Sequence, residues 1–327
     1  MPCGNPISAL PEQQASVQKA RSSQRLKGIA FLCTGALVFT LQDIVIKLMS
    51  GRYPLSEILG IRCVVAILPL LVIVHYDGGL GRLWLRRPWP LVARGLLLLV
   101  SYAGYYLALA SIPLAEAVSL YFSAPLFIVM LAGPILGEKP GIGSWLSIIV
   151  GFAGVVIVCR PGASMIDPTA LLVVGAAAFY AMAQLMARSL GISERASIMS
   201  TMQNVVFLGA AIIAGAVAGR GGFSGSHHPS LEFLLRAWQI PDLRDLLLMC
   251  STGLVSALAS WLLTHAYRIA EANVVAPFEY SSILWATTAG IVIWGEIPDV
   301  HTLVGVIIII VAGVFVLWMT GRTRAPA

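Results

Sequence analysis

The sequence predicts an all-helical, polytopic membrane protein with ten transmembrane helices, arranged as two inverted five-helix repeats. Of its residues, 58% are apolar and 11% are charged, whereas about a quarter of the residues in soluble domains are charged. The apolar runs are continuous rather than alternating, which disfavours a β-barrel. A pattern of Ala-Glu-Ala with Gly-Glu downstream occurs at residues 115–138 and again at 270–296, so a multi-helix unit has been duplicated.

Ten apolar runs reach the length of about 20 residues that a helix needs to cross a hydrocarbon core about 30 Å thick. They cover residues 28–49, 57–76, 94–112, 115–136, 143–159, 169–188, 197–218, 245–267, 272–294 and 301–319. Pro113 separates the third run from the fourth. The repeats then cover 28–160 and 168–320, and the polar residues 1–27 predict a disordered cytoplasmic leader.

The basic residues predict the orientation. Fourteen of the 21 Lys and Arg residues fall on the side of the amino terminus, and five fall on the opposite side. The positive-inside rule therefore predicts that both termini are cytoplasmic, in the cell inner membrane. Because each repeat has an odd number of spans, the second is inverted relative to the first. The basic residues of the cytoplasmic segments account for the net charge of +6, so no nucleic-acid partner is needed to explain it.

The one long connection, at residues 220–244, carries an apolar patch that predicts an external loop with a short amphipathic helix at the membrane interface. His227 and His228 lie in this loop, but metal sites need three or four ligands, so a solvated loop is the better interpretation. The five cysteines are scattered without a CxxC pair. No metal and no cofactor are expected.

The chain resembles the drug/metabolite transporter superfamily, and specifically proteins with two EamA-type domains. The resemblance spans residues 28–320 and rests on the motifs at residues 115–117, 125, 137–138, 150–155, 160–162, 271–272, 276–277 and 295–296. Members similar to this chain export amino acids and other metabolites, or import compounds such as riboflavin or S-adenosylmethionine. Asp43 and Lys47 in the first span, with residues 57–62, resemble the importers most.

Three charged residues lie within the first two spans. Asp43 and Lys47 are four residues apart and share a helix face, and Arg62 enters the second span from the same side. Each charge costs about 2.5–3.5 kcal/mol at a helix centre, so such groups pair or face water. One interpretation is an Asp43–Lys47 ion pair that neutralises itself. The other is a polar cavity in which Arg62 or Lys47 attracts a carboxylate.

Glu279 lies seven residues into the ninth span, beside Tyr280, where helix capping cannot explain a carboxylate. It is the candidate for a coupling proton, because a carboxyl group partly withdrawn from water can change charge as a cavity opens and closes. Arg62 or His265 could be its partner, and Asp43 is the alternative proton site. Structural roles at predicted helix ends are favoured for four other carboxylates, Glu116, Glu138, Glu271 and Glu296.

Aromatic and amide groups complete the candidate substrate site. Tyr102 and Tyr106 share one helix face, Trp261 and His265 share another, and Asn204 lies in the seventh span. Packing in the core or against lipid is the alternative for each residue. Together they suit an amphipathic solute with a ring or an amino-acid part.

The functional prediction is a secondary transporter with a central site between inverted halves, which opens alternately to each side for a small-molecule metabolite. The chain has no Gly-x-x-x-x-Gly-Lys-Ser/Thr loop, so a gradient or exchange must drive it. The alternatives are a multidrug or lipid-carrier translocase and a membrane-embedded enzyme. An enzyme would need a nucleophile with a base or a metal cluster, which the dispersed histidines do not supply. A monomer or homodimer is expected.

Overall fold

A computed structural model describes residues 9–83, 88–136, 142–159, 168–191, 194–222, 225, 228–270, 275 and 281–322. The described residues form helices and contain no strands. In chain order the α-helices are α1 Ala9–Ser50, α2 Leu55–Tyr76, α3 Trp89–Leu109, α4 Leu114–Tyr121, α5 Ala124–Leu136, α6 Ile142–Cys159, α7 Pro168–Leu190, α8 Ala196–Ala218, α9 Pro229–Leu235, α10 Leu243–Ile269, α11 Ser281–Ala289 and α12 Val300–Arg322.

Seven stretches within the described residues are long and apolar enough to cross a membrane. They are Leu26–Ser50, Leu55–Tyr76, Trp89–Leu109, Glu116–Leu136, Pro168–Leu190, Ala196–Ala218 and Leu243–Ile269. Shorter apolar helices cover Trp285–Trp294 and Val300–Ala312, and α6 occupies the predicted fifth run. The predicted class, an all-helical polytopic membrane protein, is confirmed.

The fourth apolar run is broken in the structure, although the sequence predicts one continuous helix there. Helix α4 ends at Tyr121 and α5 begins at Ala124. Pro125 has no backbone N–H, and its ring would clash with the carbonyl four residues earlier, so the chain makes a tight turn before it. In that turn the Ser123 amide donates to the Leu120 carbonyl at 3.1 Å. The predicted break at Pro113 is confirmed, because α3 ends at Leu109 and α4 begins at Leu114.

Helix α1 begins at Ala9, so much of the segment predicted to be a disordered leader is helical. Pro11 lies in the first turn, where a missing N–H does no harm. From residue 12 to Lys27 the sequence has no Pro or Gly to end the helix, and it is rich in Gln, Ala, Lys and Arg, which favour helices. The polarity of this segment indicated exposure to water, which does not exclude a helix.

Helix α9 lies between α8 and α10, in the predicted external loop, and it packs against α2 and α3. Phe233 is only 1% exposed and belongs to the main hydrophobic core, so this side chain anchors the helix to the protein, whereas Leu231 is 50% exposed. Beyond it, the Trp238 Nε1 donates to Ser56 Oγ at 2.9 Å. We call the end of the helices that this segment covers, where Ser50 and Leu55 lie, the α9 end.

The largest helix contacts join the first half of the chain to the second. The pairs are α1 with α10, α3 with α7, α2 with α8, α2 with α10, α5 with α7, α3 with α8 and α6 with α12. Glycine allows one of the closest approaches. A Cβ at Gly253 of α10 would lie 2.7 Å from the Arg62 carbonyl oxygen of α2. The helices of the two halves therefore interleave, and together they surround a central cavity.

Candidate functional site

A central cavity is bounded by helices from both halves, namely α1, α2, α3, α4, α7, α8, α10 and α11. It holds about 1080 Å³ of space free of protein atoms, part of which is open solvent. Binding pockets for small molecules carry a few polar groups on a mostly apolar wall. This wall is largely aromatic and aliphatic, with charged side chains at Asp43 and Arg62.

The candidates from the sequence divide into three groups. Asp43, Arg62, Tyr102, Tyr106 and Asn204 line the cavity. Within the described part of the chain, Lys47, Trp261 and His265 are not among the lining residues. Glu279 and Tyr280 lie outside the described residues.

Arg62 is buried, with 4% of its surface exposed, in the second turn of α2. Its Nη1 donates to Gln42 Oε1 at 3.2 Å. Its guanidinium carbon lies 4.6 Å from the ring centre of Tyr102 and 5.6 Å from that of Phe207. Stacking on aromatic faces holds the plane of a guanidinium while leaving its edge for ligands. No carboxylate among the described residues forms an ion pair with Arg62.

Asp43 accepts hydrogen bonds from two adjacent tyrosines of α3. Tyr105 donates to Oδ2 at 3.1 Å, and Tyr106 donates to Oδ1. Gln42 Nε2 in turn donates to the Tyr106 hydroxyl at 2.9 Å. A continuous hydrogen-bond chain therefore runs from Arg62 through Gln42 and Tyr106 to Asp43. The sequence reasoning missed Gln42, although an amide beside a charged residue inside an apolar run was the signal that could have found it.

Lys47 pairs with a residue from the other half of the chain. Its Nζ lies 2.7 Å from Glu296 Oε1 and 5.0 Å from the ring centre of Trp294. Of the two interpretations, the Asp43–Lys47 ion pair is therefore wrong, because each side chain has other partners. Lys47 lies in the last turn of α1, within reach of the segment before α12, whereas Asp43 faces the α3 tyrosines.

Glu296 follows a π-helical turn, Gly290–Trp294, and Gly295. Gly295 has φ +67°, a left-handed conformation that glycine adopts without strain. Glu296 Oε2 accepts a hydrogen bond from the Leu114 backbone N–H at 3.0 Å, satisfying a free amide at the start of α4. The carboxylate thus has a structural role at a helix end, as predicted, but it caps a helix of the other half.

The remaining predicted residues make local contacts. Asn204 Nδ2 donates to the Cys63 carbonyl at 3.0 Å and so joins α8 to α2 on the cavity wall. Trp261 and His265 stack with ring centres 5.3 Å apart, and Phe31 lies edge-on to both. This second aromatic group packs between α10 and α1.

Arg94 is a second buried arginine, at the start of the predicted third span. It is 1% exposed, because α3 begins five residues before it and carries it into the bundle. Its Nε donates to the Ala183 carbonyl and its Nη2 to Thr264 Oγ1, both at 3.3 Å. Arg94 therefore ties α3 to α7 and α10 near the end opposite the α9 end.

Within the described residues, no three His, Cys, Asp or Glu side chains come together as they would to hold a metal ion. His228 is instead the N-cap residue of α9, where its Nδ1 accepts from the Ser230 amide at 3.3 Å. His227 lies outside the described residues.

Comparisons with known proteins agree with this architecture. Residues 26–160 match the EamA-like transporter family. A riboflavin transporter of Vibrio cholerae is 29% identical over 91% of this chain and 96% of its own length. An S-adenosylmethionine uptake transporter of Rickettsia bellii is 28% identical over 89% and 93%, respectively. A pseudopaline exporter of Pseudomonas aeruginosa is 26% identical over 87% and 94%.

A protein of known crystal structure shares the fold, with a TM-score of 0.64 at 16% identity, covering 93% of this chain and all of that one. The matching family and the named relatives are transporters and not enzymes. Over residues 26–160 the chain is similar to EamA-like transporters, and over most of its length it is similar to transporters of small metabolites.

Proposed function

We propose that this protein is a secondary transporter that holds a carboxylate-bearing small metabolite in the central cavity and moves it by alternating access. One observation carries the proposal: Arg62 is a buried guanidinium on the cavity wall, and none of the described carboxylates pairs with it. Buried charges are normally paired, because removing an ion from water costs several kcal/mol. Asp43 is hydrogen-bonded to two tyrosines instead, so a substrate carboxylate would be the direct counter-ion of Arg62.

Aromatic rings beside Arg62 suit a substrate that also has a flat, apolar part. The ring centres of Tyr102 and Tyr106 are 4.3 Å apart, and those of Tyr105 and Tyr121 are 4.9 Å apart. Rings of this kind stack on planar ligands at modest entropic cost. Among the compounds named for the relatives, S-adenosylmethionine has both a purine ring and a carboxylate, whereas riboflavin has a ring system without a carboxylate. Arg62 therefore favours the first kind of substrate.

The inverted repeats, at residues 28–160 and 168–320, belong to this proposal, and the helix packing supports them. When the first repeat is matched to the second, α1 corresponds to α7, α2 to α8 and α3 to α10. The contact of α1 with α10 then maps onto that of α7 with α3, and the contact of α2 with α10 maps onto that of α8 with α3. Alternating access in such folds is a rocking of one repeat against the other around a fixed site.

The proposal places both termini in the cytoplasm of a cell inner membrane and the α9 end outside. The excess of basic residues on the side of the termini supports this orientation. A carboxy-terminal reporter that is active only outside the cytoplasm should stay inactive, and activity would reverse the orientation.

A coupling proton is also part of the proposal, with Glu279 as its site and Asp43 as the alternative. Glu279→Gln imitates the protonated acid, so uptake driven by a pH gradient should fail while exchange of labelled for unlabelled substrate survives. Equal loss of both activities would assign Glu279 to substrate binding instead. The protein would work as a monomer or homodimer.

The experiment that tests the function begins with a comparison of metabolites inside and outside deletion and overexpressing cells, which identifies compounds that follow the protein. Counterflow in proteoliposomes then follows labelled S-adenosylmethionine against an unlabelled internal pool. Label should accumulate only in liposomes that contain both the protein and the unlabelled internal pool, and this result would support transport of this kind of compound. If the compounds that follow the protein in cells all lack a carboxylate, the proposal is wrong.

A further inference from the structure

We infer that the central cavity recognises a zwitterion, with the substrate carboxylate on Arg62 and a substrate ammonium or other cation on Asp43. This inference rests on the proposed function of the same cavity and adds a second recognition element to it. Arg62 and Asp43 both line the cavity, on α2 and α1. Neighbouring opposite charges normally pair directly, but these two are kept apart by neutral side chains.

Gln42 and Tyr106 are the spacers between the two charges. Arg62 Nη1 donates to Gln42 Oε1 at 3.2 Å, Gln42 Nε2 donates to the Tyr106 hydroxyl at 2.9 Å, and Tyr106 donates to Asp43. A guanidinium can only donate hydrogen bonds, so the Gln42 oxygen must face it and the Gln42 amide nitrogen must face the tyrosine. Each link therefore has one direction only. Gln42 is 1% exposed, so water cannot replace its bonds.

Both charged side chains keep hydrogen-bonding positions that no group in the described part of the chain uses. Arg62 has five N–H donors in total; one donates to Gln42 Oε1 and another contacts the Cys63 side chain, which leaves the other donors for a ligand. Asp43 has about four lone-pair positions on its two oxygens, and two tyrosine hydroxyls occupy one on each. Asp43 is partly exposed on the cavity wall, so a cation can approach it.

Charge balance selects the class of ligand. A cavity with one fixed positive and one fixed negative group is complementary to a ligand that carries both signs. A dicarboxylate would set an anionic group against Asp43, and a polyamine would set a cation against Arg62, which disfavours both. No described side chain forms an ion pair with Asp43 either, and Lys47 is held by Glu296. An α-amino acid group carries both an ammonium and a carboxylate, so it supplies the two signs that this pair of side chains complements.

The test measures apparent Kd values of the purified, full-length protein for three ligands that share the same adenosine group and differ only in the amino acid part. S-Adenosylhomocysteine carries the whole amino acid group, its N-acetyl derivative lacks the cation, and its carboxamide lacks the anion. Asp43→Asn should weaken binding of S-adenosylhomocysteine about tenfold or more, the scale of one lost charge-assisted hydrogen bond, and change binding of the N-acetyl derivative less than about threefold. Asp242→Asn, an exposed carboxylate outside the cavity, is the matched control and should change neither value.

Variants of Gln42 provide a second test of the inference. Gln42→Glu puts a carboxylate in contact with Arg62, so an internal ion pair should take the place of the substrate carboxylate. We expect the affinity for S-adenosylhomocysteine to fall about tenfold or more. Gln42→Met keeps the position neutral, and it checks that loss of fold is not the cause. It should retain the preference for S-adenosylhomocysteine over its carboxamide, which Gln42→Glu abolishes.

The outcomes separate this inference from the proposed function. If Arg62→Gln removes the preference for the carboxylate while Asp43→Asn weakens all three probes equally, the proposed function stands and the zwitterion inference falls. If wild-type protein binds 5′-methylthioadenosine, which lacks both groups, as tightly as S-adenosylhomocysteine, the inference falls as well. Loss of gradient-driven transport in Asp43→Asn with unchanged probe selectivity would assign Asp43 to the proton and overturn the inference.

Discussion

Lys47 Nζ lies 2.7 Å from Glu296 Oε1, although the two residues are 249 positions apart in the chain. The same Lys47 ammonium lies 3.4 Å from the Ile112 carbonyl oxygen, and the second Glu296 oxygen accepts the Leu114 amide. One ion pair therefore joins α1, the start of α4 and the segment before α12 at the α9 end. A contact that ties both halves together at one end is a candidate closure of that end.

We expect either single change, Lys47→Met or Glu296→Gln, to lower the unfolding midpoint and to increase labelling from the α9 end of a cysteine placed in the cavity wall. The pair is mostly buried, with 11% and 23% of the side chains exposed, so removing one partner leaves a poorly solvated charge. We expect a loss of about 1–3 kcal/mol, below the 3–5 kcal/mol of a fully buried pair. The charge exchange Lys47→Glu with Glu296→Lys should recover part of the loss.

Arg52 provides the matched control, because its side chain is 56% exposed and it pairs with both Asp242, which is 63% exposed, and Asp245. Exposed pairs contribute about 0–1 kcal/mol. Arg52→Gln should therefore leave labelling of the cavity unchanged. A charge exchange at 47 and 296 that behaves no better than the worse single variant would show that the ion pair does not hold this end closed.

Gly253→Ala should destabilise the protein by separating α10 from α2. The added Cβ would lie 2.7 Å from both the Arg62 carbonyl oxygen and Val65 Cβ, a backbone contact that cannot turn away. Overpacking of this kind costs about 1–3 kcal/mol. Gly175→Ala in α7 is the control, since its Cβ meets nothing within 4 Å and alanine favours the helix by about 0.5–1 kcal/mol. Thermal unfolding in detergent measures both, and equal midpoints would contradict the close packing.

Phe233→Ala should destabilise the α9 end. The ring is 1% exposed in the main core, and removing a buried phenylalanine costs about 3–5 kcal/mol. Leu231 lies in the same short helix and is 50% exposed, so Leu231→Ala should cost far less. Limited proteolysis between α8 and α10 provides the measurement. Faster cleavage of both variants to the same extent would mean that α9 is not anchored through Phe233.

Arg94→Gln should lower stability without changing which ligands bind. Arg94 ties α3 to the Ala183 carbonyl of α7 and to Thr264 of α10, so a shorter side chain leaves those groups unpaired. A buried group left without its partner costs about 1–3 kcal/mol. The ratio of apparent Kd values for a carboxylate ligand and its amide should match the wild type. A changed ratio would place Arg94 in contact with the substrate.

Sequence alone predicts the class of this fold well, because continuous apolar runs and proline breaks are local signals. It fails where the determining contact is distant in the chain. Lys47 looked like the partner of Asp43 at helical spacing, and only the fold brings Glu296 to it. Pro125 was read as a family marker, yet it also explains the turn between α4 and α5.

The candidate site shows the same limit. Asp43 and Arg62 could be found because charge inside an apolar run is unusual and costly. Gln42 carries no charge and looked like an ordinary polar residue, and its importance lies in the two neighbours that it connects. Arg94 lies near a span boundary, where the positive-inside pattern already accounts for a basic residue, and only the fold shows that its side chain is buried.

The most direct test of the central claim compares Arg62→Gln with wild type for a carboxylate ligand and its uncharged amide, using inhibition of S-adenosylmethionine counterflow by S-adenosylhomocysteine and its carboxamide. Wild type should prefer the carboxylate, and Arg62→Gln should lose about tenfold or more in affinity for it while changing little for the amide, because the lost contact is charge-assisted. Arg244→Gln, an exposed arginine beyond the cavity, should match wild type. Equal losses for carboxylate and amide in Arg62→Gln would show that Arg62 is structural and would contradict the account.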